Sequence, residues 1–383
     1  MSVGEPTPSP RRRRWGSVGY YCGVITAVWV ILIPVWILAR GHPPSVTPVA
    51  RGAQLFRMNF TPAQGLGPLF NARSCSGCHG FPAPGGVGTN GLATELRVGR
   101  LTQTGFDPMI GTGGPFARAH SISELGYACE LMPGIPAGAN VTSVRNAPAL
   151  FGDGLIDAIP DSAILARAAV ERREGMIGTP NLVREVDGRV RVGRFGWKAD
   201  IPTLTEFVGQ ALRNELGVTN PLAPTDFIPP GSKPCAGESP RPDASEAVVA
   251  ELAAYIRSLP APQPQSADPV GAALFTQTGC AVCHAPSLQA GGLQVHLYSD
   301  LLLHSMGPAL DDHVVQGFAG GSDWRTAPLW GLHNRTRYLH DGRATTLEAA
   351  ILDHGGQAAS ARQRFIALSP NERHLLLEFL RTL

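Results

Sequence analysis

The sequence predicts a mainly α-helical protein with two similar halves, loop-rich insertions and a small β-hairpin, preceded by one N-terminal transmembrane helix. Three observations predict this. Short amphipathic segments open and close each half. The 45 glycines and 34 prolines among 383 residues favour irregular backbone between them. A long uncharged run follows a basic cluster near the N-terminus. The net charge of +2 gives no sign of a nucleic-acid partner.

The N-terminal segment joins the basic cluster Arg11–Arg14 to the uncharged run Trp15–Leu38. At about 1.5 Å per residue, this run is long enough as a helix to cross a bilayer of ~30 Å. Since only Arg40 follows it directly, the basic side is expected in the cytoplasm. Residues 1–44 then form a tail, an anchor and a spacer, and the rest of the chain is anchored to the inner membrane on its periplasmic side. A cleaved signal peptide is the alternative, although such peptides usually have an apolar run of only ~7–15 residues.

The rest of the chain divides into residues 45–262 and 263–383, which repeat one order of elements. In each half a short helix leads into a Cys-x-x-Cys-His motif, irregular segments follow, and an amphipathic helix closes the half. The Pro-rich stretch 260–266 is typical of a linker. Asp187-Gly188 predicts a hairpin over Val183–Val192. The predicted helices are Ala50–Arg57, Ser245–Leu259, Val270–Gln277 and Pro370–Leu383.

The two motifs carry the chemistry, because each places two thiols and an imidazole within one short segment. The thiols form thioether bonds to the vinyl groups of haem, and the adjacent imidazole becomes the proximal ligand of the iron. A zinc site would need further ligands near each motif, and a dithiol redox pair would need a βαβ setting; the sequence suggests neither. We therefore expect two covalently bound haem c groups in two cytochrome c-like domains. The motifs are Cys75-Ser76-Gly77-Cys78-His79 and Cys280-Ala281-Val282-Cys283-His284.

Three cysteines lie outside these motifs. Cys22 falls within the predicted membrane span, whereas Cys129 and Cys235 both lie in the first half. An oxidising compartment could join Cys129 to Cys235, and the sequence leaves that disulfide open.

Further segments in both halves extend the similarity beyond the two motifs. With them, the chain from residue 50 onwards resembles the bacterial di-haem oxidoreductase family, which is related to di-haem cytochrome c peroxidases and to MauG. The resemblance implies a di-haem oxidoreductase of the peroxidase or thiol-oxidoreductase kind. It also implies a small electron-donor protein such as a cytochrome c, and a possible Ca²⁺ between the haems. The segments are Gly67–Cys75, Arg145–Gly152, Arg194–Ala199, Ser299–Gly307, Arg325–Gly331 and Tyr338–Leu347.

The resemblance also indicates the second ligand of the C-terminal haem. In relatives, the residue fourteen positions after the His of a His-Asp-Gly segment lies on the distal face of that haem. Counting from His340 gives His354, which shares a predicted helical face with Leu347 and Ile351. His284 and His354 would then make a six-coordinate, low-spin haem. His304 and Met306 are rival ligands.

The same register in the first half points to a different distal face. Trp197 aligns with His340, so the fourteenth following residue is Ala211, whose methyl group cannot bind iron. The haem on His79 is therefore expected to have an open position for peroxide or dioxygen. A ligand from His120, Met109 or Met132, or an alignment anchored at Gly152-Asp153-Gly154, is the alternative.

The sequence differs from its relatives at the positions of their acid–base groups. Relatives carry a Gln ten positions and a Glu twenty positions after the Trp, and here these positions hold Phe207 and Gly217. Gln210 and Glu215 lie close enough for a shifted helix to bring one in. Strictly aligned, the pocket is apolar and lacks a proton donor within reach, which is similar to related rubber oxygenases. Thr278 also replaces a Trp that bridges the haems in MauG.

These observations predict a periplasmic di-haem c-type oxidoreductase. The N-terminal haem binds peroxide or dioxygen, and the C-terminal bis-histidine haem transfers electrons. The alternative is a non-catalytic electron-transfer cytochrome. The candidate catalytic residues are Trp197, Phe207, Gln210, Ala211 and Glu215, and the candidate iron ligands are His79, His284 and His354.

Overall fold

A computed structural model describes residue 1 and residues 47–88, 93–173, 176–185, 187–229, 231–233, 235–236, 242–266 and 268–383. Residues 48–383 form one compact unit. The division into haem domains at 45–262 and 263–383 stays a prediction. The helices are α1 (Pro48–Arg57), α2 (Cys75–Cys78), α3 (Asp153–Ala158), α4 (Asp161–Arg173), α5 (Leu204–Leu216), α6 (Glu246–Arg257), α7 (Pro269–Gln277), α8 (Cys280–Cys283), α9 (Leu347–Leu352), α10 (Ala359–Ala367) and α11 (Pro370–Arg381).

The described chain contains more β-structure than the single hairpin that the sequence predicts. That hairpin is present as β7 paired with β8, but β2 also pairs with β3, β4 and β6 in a larger sheet. Its pairing is mostly non-local, so no turn signal reveals it. The strands are β1 (Leu69–Phe70), β2 (Thr94–Thr102), β3 (Gly105–Asp107), β4 (Phe116–Ala117), β5 (His120–Ser121), β6 (Val141–Asn146), β7 (Leu182–Arg184), β8 (Val190–Val192), β9 (Leu288–Ala290), β10 (Leu293–Val295), β11 (Leu303–Ser305) and β12 (Asp323–Arg325).

The transmembrane part of the predicted fold is corrected. Among the residues that the structure describes, no helix is both long enough and apolar enough to cross a bilayer. That prediction is based on the run Trp15–Leu38. This run, which contains Cys22, lies outside the described residues. The transmembrane helix and the inner-membrane anchor are therefore not supported.

Each Cys-x-x-Cys-His motif is supported by its own pair of packed helices, and the two pairs are equivalent. In the first half α1 packs on α6, where Gly52 lets the backbone of Glu251 approach closely. In the second half α7 packs on α11, and Gly271 does the same for Leu375. A Cβ at either glycine would collide with a main-chain carbonyl oxygen, so both crossings require glycine. An aromatic pair accompanies each crossing: Phe56 with Tyr255, and Phe275 with Phe379.

A second repeated feature is the loop that leads into α5 in one half and α9 in the other. Phe195 bridges Ile201, and Tyr338 bridges Ala344, in the same antiparallel way. Each loop has left-handed backbone at two matching positions, first at Gly196 or Leu339, then at Ala199 or Gly342. Each following helix begins after a threonine N-cap, Thr203 or Thr346, whose hydroxyl accepts a backbone N–H. The loops and helix starts therefore superpose in register.

The two halves exchange main-chain hydrogen bonds through these loops. The Arg325 N–H donates to the Trp197 carbonyl oxygen at 2.9 Å, and the Asn146 N–H donates to the His340 carbonyl oxygen at 2.7 Å. The larger hydrophobic core also includes second-half residues such as Leu302. The halves of the described chain are therefore interlocked.

Candidate haem sites

The C-terminal motif forms the short helix α8, with His284 at its end. The His284 Nδ1–H donates to the carbonyl oxygen of Tyr298 at 3.1 Å, so Nε2 is the nitrogen left to bind a metal. Burial lowers the pKa of His284 to about 4, with the nearby His354 adding to the effect. The imidazole is therefore neutral at pH 7, as a ligand must be.

His354, the predicted second ligand, lies near His284, and its ligand role stays a prediction. The two ring centroids are 6.5 Å apart. Because a metal–imidazole bond is about 2 Å long, this separation suits one ion held between the two rings. The Nδ1–H of His354 donates to the Ala350 carbonyl oxygen at 2.7 Å, which again leaves Nε2 as the ligand atom. Burial lowers the pKa of His354 as well.

The rival ligand His304 has a different role. Its Nε2 lies 2.9 Å from a carboxylate oxygen of Asp300, and its Nδ1 lies 2.8 Å from the side-chain oxygen of Gln357. Both ring nitrogens are thus engaged. His304 also lies beside the Cys283 sulfur, and with Asp300 these groups form a candidate metal cluster among the described residues. A Cys283 committed to haem would leave that cluster incomplete. Met306 lines the same cavity as His354 and stays a rival ligand.

A cavity of about 250 Å³ extends from this motif towards the first half. Arg325 Nη1 and Arg362 Nε lie in its lining, buried and without hydrogen-bond partners. A buried unpaired guanidinium nitrogen is costly, and a carboxylate is its usual partner. Haem carries propionate carboxylates and an apolar ring, so the donor set and the lining fit this cofactor. The lining also includes Cys280, Cys283, His284, Leu347, Ile351 and His354.

The N-terminal motif repeats the proximal arrangement. Cys75 and Cys78 bound the helical turn α2, and His79 follows it. The His79 Nδ1–H donates to the Gly86 carbonyl oxygen at 3.2 Å, which again leaves Nε2 for a metal. Burial lowers the pKa of His79. Both motifs therefore offer the same proximal ligand in the same tautomer.

The distal candidates of the first half lie on α5. Ala211 holds the position that His354 has in the other half, since both are counted from superposed loops and N-caps. Phe207 and Glu215 lie one turn before and after Ala211 on the same helical face. Phe207 also stacks on buried Phe195 at 5.8 Å, so it serves the core as well. Gln210 is half-buried beside this face.

The loop residues proposed as alternative ligands lie elsewhere in the described fold. The His120 imidazole lies 2.9 Å from Glu124 at the surface, where 47% of its side chain is exposed. Met132 is 82% exposed, whereas Met109 is fully buried. Asp153 of the alternative anchor Gly152–Gly154 starts helix α3 directly, without the repeated loop. The register anchored at Trp197 is therefore the better supported one.

Trp197 joins the first half to the cavity. Its indole N–H donates to the carbonyl oxygen of Asn146 at 2.8 Å, and its side chain lines the cavity that also contains His284 and His354. Trp197 therefore contributes to the cavity of the C-terminal motif, although it belongs to the first half by sequence.

Glu215 has a partner that sequence reasoning missed. The carboxyl groups of Glu215 and Glu95 are hydrogen-bonded to each other, and both act electrostatically on Cys78. Burial, then the charge of Glu95, raises the pKa of Glu215 to about 8. Burial is the largest effect on Glu95 and would raise its pKa, but the charges of Arg97 and Arg145 and the hydrogen bonds from Arg97 and Glu215 together outweigh burial and lower that pKa. The sequence offers only a weak signal, the alternation of Glu95 and Arg97 along a strand.

Cys129 and Cys235 form a disulfide bond, which the sequence left open. The bond joins segments that lie 106 residues apart. The expected calcium ion stays a prediction.

The chain is similar to several solved structures at low sequence identity. No curated protein matches the chain. Hydrazine synthase of Kuenenia stuttgartiensis is 14% identical over 99% of this chain and 100% of its own, with a TM-score of 0.38. A MauG-like protein associated with microbial copper homeostasis is 17% identical over 89% and 91%, with a TM-score of 0.40. A variant of the diheme peroxidase BthA from Burkholderia thailandensis is 17% identical over 89% and 86%, with a TM-score of 0.41.

These TM-scores carry no functional argument. A sequence model of the family described as "Di-haem oxidoreductase, putative peroxidase" matches residues 139–383, which include the second motif, Trp197, α5 and His354. The first motif precedes the match and rests on its own geometry. With well over half of its length matched, the chain belongs to the di-haem oxidoreductase family.

Proposed function

We propose that the protein is a di-haem c-type oxidoreductase that reduces peroxide at the haem held by His79, with electrons from a small donor protein such as a cytochrome c. The carrying observation is the asymmetry between the halves. The ring centroids of His354 and His284 lie 6.5 Å apart, while the residue of α5 that matches His354 in register is Ala211. When bound, the haems supply one iron with an exchangeable position and one that passes electrons.

The residues of each motif would hold these groups covalently. Cys75 and Cys78 would form thioethers to one haem, and Cys280 and Cys283 to the other. His284 and His354 would both bind the iron of the second haem, which would then serve as an electron-transfer centre. The Cys129–Cys235 disulfide supports assembly in an oxidising compartment outside the cytoplasm.

Glu215 supplies the proton that the strict alignment lacked. Peroxide takes up two electrons and two protons to give two water molecules. With a pKa near 8, Glu215 is mostly protonated at pH 7 and can give a proton to the departing oxygen. Phe207 and Ala211 make the rest of this face apolar. This proton donor favours peroxide over dioxygen as the oxidant.

The test is an EPR spectrum of the oxidised holoprotein, with and without cyanide. We expect one high-spin signal that becomes low-spin with cyanide and one low-spin signal that does not change. Peroxide should then oxidise a reduced small cytochrome c in the presence of the protein. Two low-spin signals that ignore cyanide would overturn the proposal and favour a simple electron carrier.

A further inference from the structure

The hydrogen bond between Glu95 and Glu215 joins two elements that lie far apart in sequence. Glu95 is on β2, and Glu215 is in the last turn of α5, one turn beyond Ala211. A carboxylate only accepts hydrogen bonds, so two carboxyl groups can bond to each other only when one of them carries a proton. The pair therefore holds a shared proton beside Cys78.

The surroundings decide which member is the acid. The Arg97 Nε–H donates to Glu95 at 2.9 Å, and this cation favours the ionised form of Glu95. Glu215, in contrast, accepts a hydrogen bond from a neutral group: the Asn71 amide donates to its Oε2 at 2.9 Å. The orientation of that amide is fixed, because the Asn71 side-chain oxygen accepts the Ala119 N–H. Glu215 is therefore the protonated member.

Other charged groups act on the pair from the elements around it. Arg118 and Arg145 contribute positive charge to Glu215 and Glu95 respectively, and Asp200 acts on Arg97. The Arg145 guanidinium is itself paired with Asp312. Among the charged groups in the described part of the chain, the Glu95 carboxylate is the one hydrogen-bonded to Glu215.

We propose that Glu95 is a positioning residue whose carboxylate accepts the hydrogen bond of protonated Glu215 and keeps Glu215 protonated at neutral pH. This inference rests on the proposed function. As the O–O bond breaks, Glu215 would give one proton to the leaving oxygen, and two reduced donor cytochromes would supply one electron each. Solvent would supply the second proton and reprotonate Glu215, so that one peroxide gives two water molecules. Glu95 itself contacts neither peroxide nor haem in this role.

The test compares Glu95→Gln with wild type in the full holoprotein. Activity with hydrogen peroxide and a reduced small cytochrome c should fall in wild type as the pH rises through about 8, because Glu215 loses its proton. In Glu95→Gln the repelling charge is gone and Arg97 is released, so this decline should move to lower pH. Glu95→Asp, which keeps the charge, should restore much of the wild-type profile.

An infrared titration gives a readout that needs no turnover. The spectrum of wild type at pH 7 minus that of Glu215→Gln should show the C=O stretch of one protonated carboxyl group; the difference isolates Glu215, because burial also raises the pKa of Asp153 to about 8. In Glu95→Gln this band should disappear at lower pH than in wild type. Glu124→Gln, which alters an exposed carboxylate in the same half, should leave both readouts unchanged.

The outcomes separate the two proposals. If wild type turns over but Glu95→Gln keeps both the pH profile and the infrared titration of wild type, Glu95 has no such role. If wild type shows no turnover, the proposed peroxide reduction fails, while the infrared titration still decides whether Glu95 keeps Glu215 protonated.

Discussion

At the scale of single residues, His354 and Ala211 make equivalent sites chemically different. Both follow the same loop and the same threonine cap, so the backbone treats them alike. One side chain ends in a nitrogen with a free lone pair and the other in a methyl group. The exchange of these two side chains is therefore a direct test of what each does.

Replacing His354 with Ala should convert the second haem from low-spin to high-spin, because its imidazole is the group facing His284. EPR and the visible spectrum of the oxidised protein measure the change. His304→Ala is the matched control, since its nitrogens are already engaged by Asp300 and Gln357. An unchanged spectrum in His354→Ala would point to Met306 as the ligand.

Replacing Ala211 with His should have the opposite effect on the first haem. The new imidazole would occupy the position that His354 holds in the other half, so cyanide binding and peroxide turnover should fall at least tenfold. A cyanide titration followed by absorbance measures this. Normal cyanide affinity in a correctly folded Ala211→His protein would show that α5 does not face the haem on His79.

The residues that carry the chemistry differed in how well the sequence predicted them. The cysteines, His79 and His284 are indicated by the fixed spacing of the motifs, and His354 by its distance from His340 as in relatives; these predictions need no tertiary information. Glu95 did not, because its relation to Glu215 exists only once β2 and α5 are folded together. The orphan guanidinium nitrogens of Arg325 and Arg362 are likewise visible only as burial without a partner.

At the scale of elements, Asp161 ties the start of α4 to the β7–β8 hairpin. Its carboxylate accepts hydrogen bonds from Arg191 and from the Val192 N–H, and it pairs with buried Arg194. Burial raises the pKa of Asp161, but these hydrogen bonds and charges outweigh that effect and lower it to about 2. The predicted hairpin is thus held by a contact that its turn sequence does not contain.

Replacing Asp161 with Asn should destabilise the fold by about 2 kcal/mol at pH 7. The native pKa of Asp161 is below its unfolded value of 3.8, so its stabilising effect is full above pH 4 and is lost as the pH falls towards 2. Thermal unfolding at several pH values measures both effects. The difference between wild type and Asp161→Asn should therefore shrink in acid; a constant difference would contradict the assignment.

Helices were easier to predict than strands at this scale. The structure places the four helices that open and close the halves within a few residues of the prediction, and three of them begin after a side-chain N-cap, at Ser245, Asp268 and Ser369. The pairing of β2 with β6 depends on a partner that lies far away in sequence. Local patterns carry little of that information.

At the scale of the whole molecule, a buried charge cluster joins the halves. Asp312 of the second half pairs with Arg145 and with Lys198, at 3.2 Å from Lys198 Nζ, and all three side chains are almost fully buried. Burial lowers the pKa of Lys198 to about 8, although Asp312 partly counteracts this. One buried carboxylate, that of Asp312, therefore forms ion pairs with two buried cations.

Replacing Asp312 with Asn should destabilise the protein by roughly 3–5 kcal/mol, because it removes the carboxylate that pairs directly with two buried cations. Calorimetry should show a single transition at lower temperature, since residues 48–383 form one unit. Glu130→Gln is the control, because its pair with Lys233 is about three-quarters exposed and should contribute little. Two separate transitions would show that the halves unfold independently.

The main-chain exchange between Trp197 and Arg325, and between Asn146 and His340, has a consequence for how such a protein can change over generations. Apart from proline, which lacks the N–H donor, no substitution removes a hydrogen bond between backbone atoms, so ligands, charges and pocket shape can change while these hydrogen bonds keep the two halves in place. Electron tunnelling depends steeply on separation. Mutations can thus alter the driving force of electron transfer between the two proposed haems with little change in the distance between the halves that hold them.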